Sequence, residues 1–413
     1  MIDLVIVGGG AAGMFAAAQA VRQGMRVLLL EKNERLGKKL AITGKGRCNV
    51  TNNCTAEEVL KNIPRNPRFL YSAIYGFPPE RTMAFFEENG CPLKTERGNR
   101  VFPVSDRSAD VIAALERAMK SPLLERRLDT VTGLITQEGR IAGVKTQKGI
   151  VSCKSVLLCT GGASYPLTGS TGDGYLLAKA VGHTVIEPTG SLVPLVSESD
   201  CADMQGLSLR NTELKLLDAK GRIAFKEFGE LLFTHFGLSG PMALSASAHM
   251  REGEKYTVSL DLKPALDEAK LDARFLRDFE KYANRSMENA LADLYPHSMI
   301  PVLLKRCGID PAMQANALTK QLRRALLEQT KRFLLPISGT RPVEEAIITR
   351  GGVDVKQIDP KTMQSKLVGG LYFAGEIIDC DAYTGGFNLQ IAWATAYAAI
   401  NAIAETKFDK SVL

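Results

Sequence analysis

Near the start of the chain six small residues stand in the order Gly8-Gly9-Gly10-Ala11-Ala12-Gly13, and a carboxylate, Glu31, follows eighteen positions after the last of them. Those types at that spacing can hold a nucleotide. Gly8 permits a tight turn, Gly10 lets a pyrophosphate approach the backbone, and Gly13 lets a helix pack closely on a strand. Glu31 can accept hydrogen bonds from an adenosine ribose. A run of small, amide and basic residues comes directly after. It comprises Lys32, Arg35-Leu36-Gly37-Lys38-Lys39-Leu40 and Thr43-Gly44-Lys45-Gly46-Arg47-Cys48-Asn49-Val50-Thr51-Asn52. Its glycines allow backbone approach, and its amides and hydroxyls suit the polar edge of a ring. The plainer alternative is a solvated basic loop.

Proton chemistry has few candidates. His183, His235, His249 and His297 are far apart with no partner at ligand spacing, so no metal site is expected. His235 lies in the glycine-bearing turn Phe233-Thr234-His235-Phe236-Gly237-Leu238-Ser239-Gly240-Pro241, where it could protonate a substrate as hydride arrives. It could equally do no more than hydrogen-bond its own loop. Cys48, Cys380 and Tyr383 are rival donors. The eight cysteines include no CxxC pair, which points to reduced thiols in a cytoplasmic protein.

Two stretches are basic. Arg35, Lys38, Lys39, Lys45, Arg47, Lys61, Arg65 and Arg68 face Glu34, Glu57 and Glu58 in sequence. Lys320, Arg323, Arg324, Lys331 and Arg332 have Glu328 between them. Solvated faces would explain either stretch, but two on one chain favour a polyanion such as RNA.

The elements around the glycines agree with the nucleotide reading. Ile2 to Val7 is an aliphatic strand, Met14 to Gln23 an alanine-rich helix ended by Gly24, and Arg26 to Leu30 a second strand closed by Glu31. FAD and NAD share this fingerprint. Gly161-Gly162, Gly172-Asp173-Gly174 and Gly351-Gly352 lack the spacing for a second one. One dinucleotide domain with so much further chain favours a flavin. A strand from Val156 to Thr160 ends at Gly161-Gly162. Thr171-Gly172-Asp173-Gly174 opens a helix over Tyr175 to Val181, where Thr171 and Asp173 are candidates for cofactor contact; the plainer reading, Asp173 as a helix cap, can hold beside that role. Leu371 to Ala374 is another buried strand, ending at Gly375-Glu376. Gly385-Gly386-Phe387-Asn388-Leu389-Gln390 then leads into a last helix, Ile391 to Glu405. That helix N-terminus would aim amides at the flavin N1/O2 edge, where charge develops on reduction.

Between these parts, residues 191–265 alternate as strands, with a hairpin around Asp218-Ala219-Lys220-Gly221. Residues 266–335 are helical, with Phe275, Phe279 and Tyr282 on one face. The expected fold class is α/β: a Rossmann-type FAD-binding domain (1–190 and 345–413), a small antiparallel β-barrel insert (191–265 and about 336–344) and a helical insert (266–335). The 413 residues are 45% hydrophobic and 23% charged with a net charge of +7, which excludes a disordered or fibrous chain. Met1 to Val21 lacks the basic start of a signal peptide, and Leu389 to Ala404 is too short to span a bilayer.

Five blocks carry a more specific likeness: GGGAAGM at 8–14, GKKLAITGKGRCNVTNN at 37–53, LLCTGGASYPLTGSTGDGY at 157–175, LLFTHFGLSGP at 231–241, and GLYFAGEIIDCDAYTGGFNLQIAWATAYAA at 370–399. Through them the chain resembles the BaiN/RdsA family of FAD-dependent oxidoreductases, the HI0933-like or aminoacetone-oxidase-like flavoproteins. The family pattern usually has an apolar residue and a glycine where this chain has Cys380 and Ala382. The resemblance implies that Val131 gives backbone contacts to the adenine and that Thr160, Gly161 and Gly162 meet the cofactor near its flavin end. It places Glu376 by the ribityl or phosphate part. It also implies NADH or NADPH as a transient reductant and reduction of an activated C=C bond, with uridine of 23S ribosomal RNA the favoured substrate. A bile-acid-type enone, an amine oxidised with oxygen, and a non-catalytic RNA-binding or redox-sensing flavoprotein are the alternatives.

Overall fold

The computed structural model describes residues 2–251 and 253–408, which fall into two compact units, Met1–Ser191 with Val343–Leu413, and Leu192–Pro342. In the first unit five strands run parallel in the order Leu124–Leu128, Val27–Glu31, Ile2–Val7, Gly149–Leu158 and Leu371–Phe373. The central strand is a continuous aliphatic run because both its faces are covered; Leu4, Val5 and Ile6 are fully buried. The first half of Gly149–Leu158 also pairs antiparallel with Arg140–Thr146, which pairs with Val131–Gln137.

The first helix, Ala11–Arg22, begins three residues earlier than its periodicity predicts, and the last helix, Phe387–Phe408, four residues earlier. In both cases the glycines sit at the helix start rather than ahead of it. Phe15 of the first helix packs on Trp393 of the last at 5.6 Å between ring centroids. A small antiparallel sheet of Thr51–Asn52, Arg100–Pro103 and Leu93–Glu96 lies by the same helix, tied to it by a bond from Trp393 Nε1 to the Val50 carbonyl.

The second unit is built on an antiparallel sheet. Its order is Phe333–Ile337, Tyr256–Asp261, Ser208–Asp218, Ile223–Thr234, Gly237–Ser239, Leu195–Val196 and Gly339–Thr340. The first and last members are separated by Ser338 alone, whose N–H bonds Val196 O at 3.0 Å, so the sheet closes on itself. The helices Glu268–Lys281, Ile300–Cys307 and Lys320–Lys331 share one core with this sheet. Phe275, Phe279, Leu303 and Leu326 are buried with Val258, Leu260 and Phe333. The strand at Phe333 starts inside the stretch expected to be helical.

Candidate functional site: a dinucleotide crevice

Four parallel strands deliver the glycines and the acids to one edge of the sheet. Val7 leads into Gly8, Glu31 ends its own strand, Leu158 leads to Thr160-Gly161-Gly162, and Phe373 leads to Gly375-Glu376. Ligands of such sheets bind at that edge. Gly8 has φ +102°, and a Cβ there would stand 2.6 Å from the Cys159 carbonyl oxygen; a Cβ on Gly13 would be driven into the Gly8 carbonyl oxygen. Gly10 is the opposite case. Nothing lies within 4 Å of its Cβ position, so the backbone is bare at the start of a helix that has no side-chain cap. Its first N–H groups are left for an anion.

Glu31 is aimed into this turn. Its Oε2 accepts from Gly9 N at 2.7 Å, and Oε1 accepts from Asn33 N and Nδ2 at 2.8 and 2.7 Å. Along the crevice Lys39 Nζ meets Glu376 Oε2 at 2.7 Å and Ser164 Oγ at 2.8 Å, and Glu376 Oε1 also accepts from Thr349 N. Thr349 Oγ1 accepts from Ala163 N and Ser164 N, and a side chain at Gly162 would overlap the Thr349 side chain. Ser164 and Thr349 were absent from the sequence-based candidates. Ser164 lies in a quoted block, but nothing local marks Thr349, which reaches the site only because its strand pairs with Val185–Ser191.

The glycine pair before the last helix is held tightly. Gly385 and Gly386 have φ of +125° and +97°, and a Cβ on Gly386 would strike the Thr51 backbone. Asn52 Nδ2 donates to Gly385 O, Thr51 Oγ1 to Gln390 Oε1, and Asn388 exchanges bonds with Ala382 N and O. Leu389 and Phe387 continue the helix. The 44–48 loop coils through left-handed φ at Gly44, Lys45, Gly46 and Cys48. Thr43 caps back onto Lys39 O, and Leu40 is buried. Asn49 Oδ1 and Thr160 Oγ1 are buried without a hydrogen-bond partner among the described residues. Bare backbone at Gly10, an aimed Glu31 and an orphaned acceptor fit a dinucleotide with a polar ring.

Several expected roles change in three dimensions. Asp173 is not a helix cap: Gly172, at φ +80°, takes that position, and Asp173 bonds Lys32 Nζ at 2.5 Å beside Thr171. Lys38 reaches the Leu167 carbonyl. Arg47 is spent on Glu96 and Asp106 and stacks on Phe102. Cys48 is fully buried, and burial pushes its thiol far up; Cys380 is buried and raised for the same reason, with Asp379 and Asp381 adding to it. Enclosed thiols cannot reach a substrate, which argues against both as proton donors. Tyr383 is partly exposed, its N–H bonded to Asn62 O. His235 is exposed at the turn between Thr234 and Gly237 in the second unit. Val131 is buried and pairs with Thr146.

The basic stretches shrink too. Lys39 pairs with Glu376, Arg65 with Asp379, and Lys61 with Glu57. In the second stretch Arg323 pairs with Asp272 and Lys331 with Asp261, both at close range, and Arg324 meets Glu328. Lys320 and Arg332 remain exposed. The expected RNA face on that helix therefore loses two of its five charges to partners distant in sequence. Among the described residues no metal-holding group of side chains is gathered, and no helix is long and apolar enough to cross a membrane.

The HI0933-like protein Rossmann domain matches residues 2–402. The chain belongs to that family. It is 31% identical to a 3-dehydro-bile acid delta(4,6)-reductase of Clostridium scindens, over 97% of this chain and 98% of that one. It is 29% identical to a ribosomal RNA dihydrouridine synthase of Escherichia coli, over 96% of each. A solved 3-ketosteroid delta1-dehydrogenase of Sterolibacterium denitrificans shares the fold, with a TM-score of 0.53 at 14% identity over 98% of this chain and 99% of that one. The protein is an FAD-dependent oxidoreductase. Its glycine turn, Glu31 and the Lys39–Glu376 pair are placed where they could hold a dinucleotide.

Proposed function

We propose that this enzyme takes electrons from NADH or NADPH and reduces a C=C bond conjugated to a carbonyl, with uridine of 23S ribosomal RNA as substrate and dihydrouridine as product. Bound FAD supplies the hydride relay between nicotinamide and alkene. The chain's own residues hold the cofactor and move the proton. The Gly8–Gly13 turn and Glu31 take the adenosine diphosphate half, with Val131 near the adenine. Thr160-Gly161-Gly162, Asn49, Glu376 and the Gly385–Leu389 helix start take the flavin half. His235 and Tyr383 remain the proton donors to test, since both side chains have access to solvent. In this reading residues 1–190 and 345–413 are the FAD domain, 191–265 with about 336–344 the β insert and 266–335 the helical insert.

The observation that carries RNA over a small substrate is the net charge of +7, with Arg97, Arg100, Lys320 and Arg332 among the exposed basic residues. A steroid enone is the second reading, favoured by the 31% identical relative. The test offers the purified protein unmodified 23S ribosomal RNA or a conjugated steroid enone, with NADH or NADPH in turn. Mass mapping that finds uridine gaining two hydrogens supports the proposal. Oxidation of NAD(P)H that tracks only the enone would replace it with the second reading.

A further inference from the structure

Beside the glycine pair that opens the last helix lies a turn that the cofactor does not account for, Arg97-Gly98-Asn99-Arg100. It joins the strands Leu93–Glu96 and Arg100–Pro103. Gly98 and Asn99 both have positive φ, at +75° and +57°, so the turn is tight. It is also anchored. Asn52 Nδ2 donates to Gly98 O and to Gly385 O, at 3.0 Å each, and Asn53 N donates to Asn99 O at 2.7 Å. One side-chain amide thus bridges the turn to the start of the last helix.

Arg97 and Arg100 are exposed, and neither has an ion-pair partner among the described residues. The acids that could have neutralised them are committed elsewhere. Glu96 is held by Arg47 and Lys94, and Asp106 by Lys94 and Arg47. Arg100 Nε instead donates to the Arg97 backbone carbonyl at 3.1 Å, which ties the Arg100 side chain back onto the turn. Glu96 lies directly across the strand pair from Arg100 but is taken by Arg47 and Lys94, and two exposed guanidinium groups on an anchored turn are suited to bidentate recognition of phosphate.

We infer that Arg97 and Arg100 form a phosphate clamp for the backbone of a polynucleotide substrate, gripping it next to the flavin end of the crevice. The inference rests on the RNA reading above and gives that substrate a contact surface in place of the largely neutralised helix Lys320–Lys331. A polyanion is preferred to the phosphates of NADPH as occupant because both arginines are open to solvent, where a long ligand can run across them.

The test compares the FAD-loaded wild type with Arg97→Ala/Arg100→Ala and Arg97→Lys/Arg100→Lys. Three quantities are read: binding of a 23S ribosomal RNA fragment across a salt titration, the KM for NADPH, and dihydrouridine formed. The clamp predicts RNA affinity about ten-fold weaker in the Ala pair, with the slope of log affinity against log salt reduced by roughly one to two units. The Lys pair should recover the salt slope better than the affinity, because lysine keeps the charge but not the fork. FAD content and the KM for NADPH should not change. RNA binding unchanged in the Ala pair, with wild type still forming dihydrouridine, would overturn the clamp and leave the RNA reading intact. A raised KM for NADPH with RNA binding intact would overturn it in favour of a dinucleotide phosphate site. Binding that weakens in the Ala pair as predicted, with a wild type that forms no dihydrouridine, would support the clamp while sinking the uridine reaction. A wild type that does not bind RNA at low salt would overturn both.

Discussion

At the Glu31 end of the crevice the glycine turn and its acid come from one continuous stretch, Gly8 to Glu31, with Asn33 just beyond it and the Cys159 backbone packed against Gly8. The end at Gly385-Gly386 is instead assembled from segments more than 300 positions apart, as in the Asn52–Gly385 and Arg65–Asp379 bonds. The first end works by leaving side chains out. Gly10 clears space for a ligand, while Gly8 and Gly13 let the strand and helix backbones touch. The second works by putting polar groups in. Asp379 and Asp381 are buried in the loop after Glu376 and are stabilised by Arg65, Asn66 and Ser191. A steric site should therefore fail abruptly when a methyl group is added, and an electrostatic one gradually, as partners or pH are altered.

The largest effect is expected at the steric end. Gly13→Val places branched bulk against the Gly8 carbonyl, and overpacking of this kind costs about 3 kcal/mol or more. The variant should purify without FAD or fail to fold, as read by absorbance of the released flavin and by thermal unfolding. Full flavin occupancy would show that the strand and helix can separate there, and the contrast between the two ends would weaken. Arg65→Ala should come next. Asp379 is 3% exposed and would lose a two-pronged partner, with bonds of 2.5 and 2.9 Å. Removing one member of such a buried pair costs about 3 kcal/mol, reduced here because Arg65 itself is partly solvated. Denaturant melts should show the loss, and Arg65→Lys should restore only part of it.

The smallest effect concerns pH. Burial raises the Asp381 carboxyl above its ordinary value of 3.8, against the opposing influence of the Ser191 hydrogen bond, Arg350 and Arg65. The folded state thus holds this proton more tightly than the unfolded chain does. Its contribution to stability is complete below the ordinary carboxylate pKa and is lost as pH rises towards the raised folded value. Asp381→Asn keeps a partner for Ser191 but cannot ionise. Its stability relative to wild type should therefore improve with rising pH across that window. An unchanged difference at every pH would mean that Asp381 does not titrate differently in the folded state.

Much of the first end was legible in advance because the constraints on it are local. A strand, a glycine turn, a helix and a terminal acid within thirty-one residues can be recognised by period and spacing alone. The hairpin around Asp218–Gly221 was visible for the same reason. Asp173 shows where local reasoning stops. Its position before a helix suggested a cap, yet Lys32, 141 positions away, claimed it. The basic stretches teach the same lesson about charge. Counting only neighbouring acids left Arg47, Arg65, Arg323 and Lys331 unpaired, whereas the fold supplies Glu96, Asp106, Asp379, Asp272 and Asp261.

The sequence by itself determined the backbone of the nucleotide turn and the family of this enzyme, because glycine spacing acts through steric exclusion between residues close in the chain. Only the tertiary structure decided which charges stay free. An ion pair depends on distances in space between segments that pairing and packing bring together. That is why Lys39 meets Glu376, why Thr349 enters the crevice, and why Arg97 and Arg100 keep their charge uncompensated.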